Sequence, residues 1–216
     1  MTTFNFTEAN GTTLEAVDSK WNGTTTTMEV QSGALQPTAT PAMSTLRFCV
    51  YENSQPQQQK SAVKFKASSF AASPFKYALI NATAGSTGTA GRGTGYSARI
   101  DPGGIYLYRN SFYVNEAPPL TDPSTTDTEL TIEQLAGGVI KVYQDGVEVL
   151  SYTDGSPLTG GYPGFAMLVD PGVEGGISPT VGAIDSWTDG IDDEEPPETL
   201  FIPRRRVIVR KRRIAA

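Results

Sequence analysis

Histidine is absent from all 216 residues, and cysteine occurs once. The first absence removes Ser-His-Asp and Cys-His catalysis, histidine-ligated zinc and the usual general base near neutral pH. The second rules out an intramolecular disulfide and a cysteine-rich metal site. Cys49 lies in the strand-like run Leu46-Arg47-Phe48-Cys49-Val50-Tyr51, where a buried, inert thiol is expected. No apolar run approaches the eighteen residues that a membrane-spanning helix needs, so no membrane contact is expected. Met1-Thr2-Thr3-Phe4 offers neither a basic nor an apolar leader region, so export by a signal peptide is not expected either. Four N-x-T sequons, at Asn5, Asn10, Asn22 and Asn81, then read as by-products of a threonine-rich composition. Paired carboxylates on one strand face, in an E-x-D-x-x-E pattern, are what a glycan-cleaving sandwich would show, and no such stretch exists. Glu129 and Glu133 come nearest, and a solvated face explains them. The chain is therefore read as a non-enzyme.

What is present points to strands. The 22 glycines and 15 prolines suit a loop-rich β protein, and few segments carry helical periodicity. From Val139 to Trp187 the sequence reads as four strands. Val139, Lys141 and Tyr143 alternate with Ile140, Val142 and Gln144, the period of two of a half-buried strand. Asp145-Gly146 supplies the positive φ of a two-residue hairpin. Val147 to Ser151 returns antiparallel, with Glu148 and Leu150 opposite Val147, Val149 and Ser151. Phe165 to Val169 and Ala183 to Trp187 complete the set.

The same reading extends through the N-terminal part. Phe4 and Phe6 alternate with polar neighbours, Leu14 to Trp21 permits a short helical turn, and Trp21 is expected at the rim of the core. Thr24 to Val30 suits a solvent-facing strand, and Leu35 to Ser44 a loop or edge crossing. Thr45 to Tyr51, Ser61 to Ala67 and Phe75 to Asn81 read as strands. Tyr96 to Ile100 and Gly104 to Arg109 form a hairpin with Tyr106 and Tyr108 on one face. Glu129 to Leu135 is a strand or a helical turn. The glycine-rich stretch 82–95 contains G-R-G-T-G, but no helix or P-loop lysine follows, so no phosphate site or cofactor is expected.

A hairpin with Asp145-Gly146, then Asp154-Gly155-Ser156-Pro157-Leu158, Gly161-Tyr162-Pro163-Gly164-Phe165 and a strand holding Ile184-Asp185-Ser186-Trp187, resembles concanavalin A-like (laminin G-like) jelly-roll domains. The opening Phe6 to Leu14, Trp21 and Gln31 to Leu35 agrees. The resemblance spans roughly residues 4 to 190 and implies an all-β antiparallel sandwich, an architecture shared by lectins, glycanases, adhesive modules and virion proteins. Sugar rings stack on aromatic platforms, so Tyr106, Tyr108, Tyr113 and Tyr162, with Tyr143, are the candidate glycan contacts. Asp189, Asp192 and Asp193 group oxygen ligands as calcium would require, but in a charged linker where solvation suffices, so no metal is expected.

Charge divides the chain. All 23 acidic residues lie before residue 199 with ten of the basic ones, leaving the body at −13. The last eighteen residues hold seven basic groups and no acidic one. Three parts follow: a jelly-roll sandwich over 1–190, an acidic proline-rich linker over 191–198 and a basic arm over 199–216. In the arm, Phe201 and Ile202 precede Arg204-Arg205-Arg206, Val207-Ile208-Val209 and Arg210-Lys211-Arg212-Arg213. A merely solubilising tail needs no such apolar residues, whereas a strand that adds to another sheet edge does. Its guanidinium groups suit an acidic surface, and the acidic body would repel nucleic acid.

A histidine-free sandwich with a basic anchor resembles the accessory structural proteins of tailed-phage virions. That resemblance implies a capsid decoration (cement) protein on the outer capsid surface, made in the host cytoplasm. Its partner would be the major capsid protein or another virion protein, and it would form a homo-oligomer such as a trimer. The alternative is a glycan-binding, host-surface adhesion module of a head or tail fibre.

Removing residues 199–216 is expected to leave a soluble, folded sandwich that no longer co-sediments with particles stripped of this protein. Changing Arg204, Arg205, Arg206, Arg210 and Arg212 to Ala should weaken attachment most at low salt, where charge pairs are least screened.

Overall fold

A computed structural model describes residues 1–38, 45–52, 59–70, 75–83, 94–169 and 184–190. The linker 191–198 and the arm 199–216, with every contact assigned to them above, lie outside the described residues.

The described chain contains β1 (Thr3–Phe4), the helical turn α1 (Leu14–Val17), β2 (Trp21–Gly23), β3 (Met28–Gln31), β4 (Ala34–Pro37), β5 (Thr45–Tyr51), β6 (Lys60–Phe65), β7 (Lys76–Ala82), β8 (Tyr96–Asp101), β9 (Gly104–Arg109), β10 (Phe112–Ala117), β11 (Thr128–Leu135), β12 (Val139–Gln144), β13 (Val147–Thr153), β14 (Tyr162–Val169) and β15 (Ile184–Asp189). One sheet runs β13-β12-β11-β6-β15-β4-β3, with β1 also paired to β15. The other runs β10-β9-β8-β7-β14-β5-β2. All the pairings are antiparallel, so the all-β sandwich expected from the sequence is the fold.

The alternation of side chains builds the core. Ile140, Val142 and Gln144 of β12 are buried, and Leu130 and Ile132 of β11 join them. From the second sheet, Ala78 and Ile80, Ala98 and Ile100, and Ile105 and Leu107 point to the same interior. Burying such side chains is worth about 1.5–3 kcal/mol each. At one end the core turns aromatic. Trp187 from β15 meets Trp21 from β2 at 4.6 Å between centroids, and Phe4 and Tyr51 pack against both. Trp187 Nε1 donates to Ser61 Oγ at 3.0 Å, and that hydroxyl donates to the Gly164 carbonyl at 2.6 Å. Ser61 belongs to one sheet and Gly164 to the other, so the bond joins the layers across the interior. Gly164 has no alternative there, because a Cβ would lie 2.1 Å from the Cys49 carbonyl oxygen.

Several local expectations change. Trp21 sits within the core rather than at its rim, being only 3% exposed. Thr25–Thr27 forms a 3-10 turn, and Met28 and Val30 of the strand after it are fully buried, so this strand does not face solvent. Ala34–Pro37 is a buried strand rather than a loop, seated between β15 and β3. Of the two readings of Glu129 to Leu135, the strand is the one found, as β11. In β13, a register shift against Val142 and Tyr143 makes Val149 the extra residue, so Val149 packs against the core beside its neighbour Leu150 and strict alternation fails. Asp189 ends β15, fully buried, and accepts a hydrogen bond from the Thr2 amide, so it is no linker residue. Asp192 and Asp193 lie outside the described residues.

Two interior groups carry shifted pKa values. Burial pushes the Cys49 thiol up to about 12, which keeps it protonated and inert, as expected. Burial pulls Lys76 down to about 7; its ammonium lies 5.3 Å from the Phe70 centroid and donates to the Ser69 carbonyl.

Trp187→Ala should cost about 3–5 kcal/mol in chemical denaturation, because it opens a cavity and strips Ser61 of a donor. Gly164→Ala should be at least comparably damaging, since the clash is with backbone; an unchanged midpoint for either variant would contradict this packing.

Candidate functional site

Three of the tyrosines singled out from sequence, Tyr106, Tyr108 and Tyr113, sit together on the outer face of the second sheet, and the strand register explains how. Tyr113 of β10 lies opposite Tyr108 of β9, and Tyr106 lies between Glu116 of β10 and Arg99 of β8. A bulge between Tyr113 and Asn115 makes Val114 the extra residue. It therefore brings Tyr113 and Glu116, three positions apart, to one face.

The three rings are not equivalent. Tyr108 is 4% exposed and meets Tyr113 edge-on at 6.2 Å, so it buttresses its neighbour. Tyr106 is half-buried. Its ring lies against the backbone at Gly104, where a Cβ would approach within 2.8 Å. The Arg99 guanidinium packs 4.1 Å from the Tyr106 centroid and 4.6 Å from that of Phe75. Asp101 then pairs with Arg99 at 3.0 Å and fixes it. Tyr113 alone of the three presents its ring, at 55% exposure. Partial desolvation and the adjacent Glu116 carboxylate push its phenol above the ordinary value. An exposed ring beside a carboxylate can stack on a sugar and accept its hydroxyl hydrogen bonds.

The fourth candidate is elsewhere. Tyr162 opens β14, three strands from β9 and so about 14 Å away. It is half-buried against Phe48, Val50, Tyr77, Leu79, Ala82 and Ala166, an apolar cluster on the same outer face. Tyr143 lies in the other sheet and donates to Glu133 on its outer face. Glu116 and Arg99 were not anticipated. Arg99 and Asp101 share a strand face by simple alternation and were legible, whereas the bulge that turns Glu116 to the tyrosines has no sequence signal.

A network at the end of β9 holds this edge against the loop after β13. Asp154 Oδ2 accepts from Tyr96 Oη at 2.6 Å and from Arg109 Nε at 2.5 Å, and Oδ1 accepts from the Ser156 amide. Arg109 also donates to the Ser156 carbonyl. Burial alone would raise the Asp154 pKa, but these donors and the Arg109 charge hold it below the usual carboxylate range. Among the described residues no three His, Cys, Asp or Glu side chains assemble as a metal-binding group.

No protein-family model matches the chain, and no curated protein is similar to it in sequence. Solved structures do resemble it in fold. The carbohydrate recognition domain of Emp46p in its potassium-bound form superposes with a TM-score of 0.53 at 13% identity, over 82% of this chain and 94% of that one. The Emp47p carbohydrate recognition domain gives 0.53 at 8% identity, over 80% and 88%. The endo-1,3-beta-glucanase from Streptomyces sioyaensis gives 0.51 at 12% identity, over 88% and 92%. At these identities the likeness establishes the fold, a concanavalin A-like jelly-roll sandwich of the kind shared by lectin domains and glucanases.

The lowered Asp154 pKa sets a pH dependence. Ionised Asp154 contributes stability that is complete above its unfolded pKa of about 3.9 and is lost as pH falls through the lower folded value. Asp154→Asn should therefore reduce stability at neutral pH and flatten the acid limb of the stability curve, measured by urea denaturation across pH.

Proposed function

We propose that this protein is a non-catalytic carbohydrate-binding module that engages a glycan through the Tyr113 edge of its second sheet. The observation that carries the reading is the exposed Tyr113 ring, propped by Tyr108 and set beside Glu116. Such a platform costs little conformational entropy to order, because both neighbours already restrict it. The net negative body favours a neutral glycan over an anionic one. The non-catalytic part of the reading rests on sequence, in which no strand carries the paired acids of a retaining glucanase, and on Asp101, whose carboxylate is engaged by Arg99 and by the Gly103 amide. The lectin domains of similar fold are consistent with this reading, and the glucanase shows that fold alone does not decide between binding and cleavage.

The capsid-decoration reading draws its support from the sequence of residues 199–216, and no observation among the described residues favours it over glycan binding.

A glycan array should show binding to neutral saccharides. Tyr113→Ala should then weaken the best ligand by about 1–2 kcal/mol, roughly tenfold in Kd, while leaving thermal stability nearly unchanged. Equal binding by Tyr113→Ala and the parent would remove this face as the site.

A further inference from the structure

The end of the sandwich holds a second concavity, separate from the tyrosine face. It is about 710 Å³ in volume and lies between the β11–β12 connection and the loop that follows β13. That volume falls within the range of roughly 300–1,000 Å³ typical of small-molecule sites. Its rim is bare: a Cβ on Gly137 or Gly155 would meet nothing within 4 Å. Its wall is fixed. Gly138, at φ +76, leaves no room for a side chain against the Asp154 carbonyl and Pro157, and Asp154 is held by the three donors described above.

Behind this wall, side-chain amides clamp the loop. Gln134 Nε2 donates to the Leu158 carbonyl, Asn81 Nδ2 to that of Gly160, and Gln59 Nε2 to those of Gly160 and Gly161. Each amide group also has an acceptor oxygen. Gln59 Oε1 receives the Asn81 amide, whereas Asn81 Oδ1 and Gln134 Oε1 are both buried with no donor, and of these two residues it is Gln134 that lines the concavity. Gln134 is only 4% exposed and lines the concavity. An unmet buried acceptor costs about 1–3 kcal/mol unless something supplies a donor. The remaining polar groups of the lining are neutral hydroxyls, Thr153 and Thr159, and its one carboxylate, Asp154, is already engaged. Leu135 and Pro157 supply apolar surface.

We infer that this concavity is a second binding site, for one unit of a neutral polyol such as a monosaccharide. A ligand hydroxyl donates to Gln134 Oε1, and the ring's apolar face rests on Leu135 and Pro157. The acceptor calls for a donor, the lack of a free charge disfavours ions, and the mixed lining suits a ring with hydroxyl edges and a C–H face. The assignment stands on residues distinct from Tyr113, so either site can fail alone.

The test is an amide NMR titration of the full-length chain with glucose, galactose, mannose and N-acetylglucosamine. The expected result is saturable shifts at Gly137, Gly138, Gly155 and Thr159, and at the Gln134 side-chain amide, for at least one sugar, retained in Tyr113→Ala. Gln134→Leu should weaken that binding about fivefold or more, the size of one lost hydrogen bond. Gly155→Phe, at a position open to solvent and with no positive φ, should block the mouth while the protein remains folded. Shifts confined to the Tyr113 edge, or no saturable shift with any of the four sugars, would overturn the second site. The first of these outcomes would leave the proposed function standing.

Discussion

A buried serine hydroxyl ties the two layers of this sandwich together at their aromatic end. Ser61 accepts a hydrogen bond from the Trp187 indole N–H and donates its own to the Gly164 carbonyl, linking β15 and β6 of one sheet to β14 of the other. A polar group at that depth is tolerated because both its donor and its acceptor capacity are used. The aromatic cluster depends on the same arrangement, since Trp187 must point inward to meet Trp21, Phe4 and Tyr51. Gly164 meets the same constraint from the other side, because only a missing side chain lets β14 lie so close to β5.

With the layers fixed, the edges become usable. Among the described strands β10 pairs on one side only, with β9, so a bulge there disturbs a single ladder. It re-aims Glu116 toward the tyrosines, while the Asp154–Arg109–Tyr96 network keeps the adjacent turn from shifting. The exposed ring of Tyr113 thus stands on a rigid base, although Tyr113 itself is at the periphery.

Much of this fold was legible in the sequence, and particular residues show why. Ile140, Val142 and Gln144 alternate because β12 is half-buried, and Asp145 and Gly146 both adopt the positive φ that their dipeptide announces. What was hidden is whatever breaks the period of two. Val114 and Val149 are extra residues in bulges, and a one-residue insertion leaves no compositional trace. Lys76 was hidden for a different reason: a lysine reads as a surface residue, and only the packing against Phe70 and the Ser69 carbonyl turns it inward. For the site, the tyrosines were found as a residue type, but their unequal roles were not. Only the register and the guanidinium packed on Tyr106 separate the exposed ring from the supporting ones.

The place of β15 also has a mechanical meaning. This last described strand is an interior one, bonded to β6 and β4 and also to β1, the first strand of the chain. A pull along the strand axis applied beyond residue 190, with the sandwich held at its opposite end, would load β15 along its length and draw its hydrogen bonds to β6 in shear, many at once, instead of peeling them one by one. The residue at the other terminus is seated alongside, through the Thr2 and Asp189 backbone bond. The strand from which the chain leaves the described sandwich is thus bonded on both of its edges.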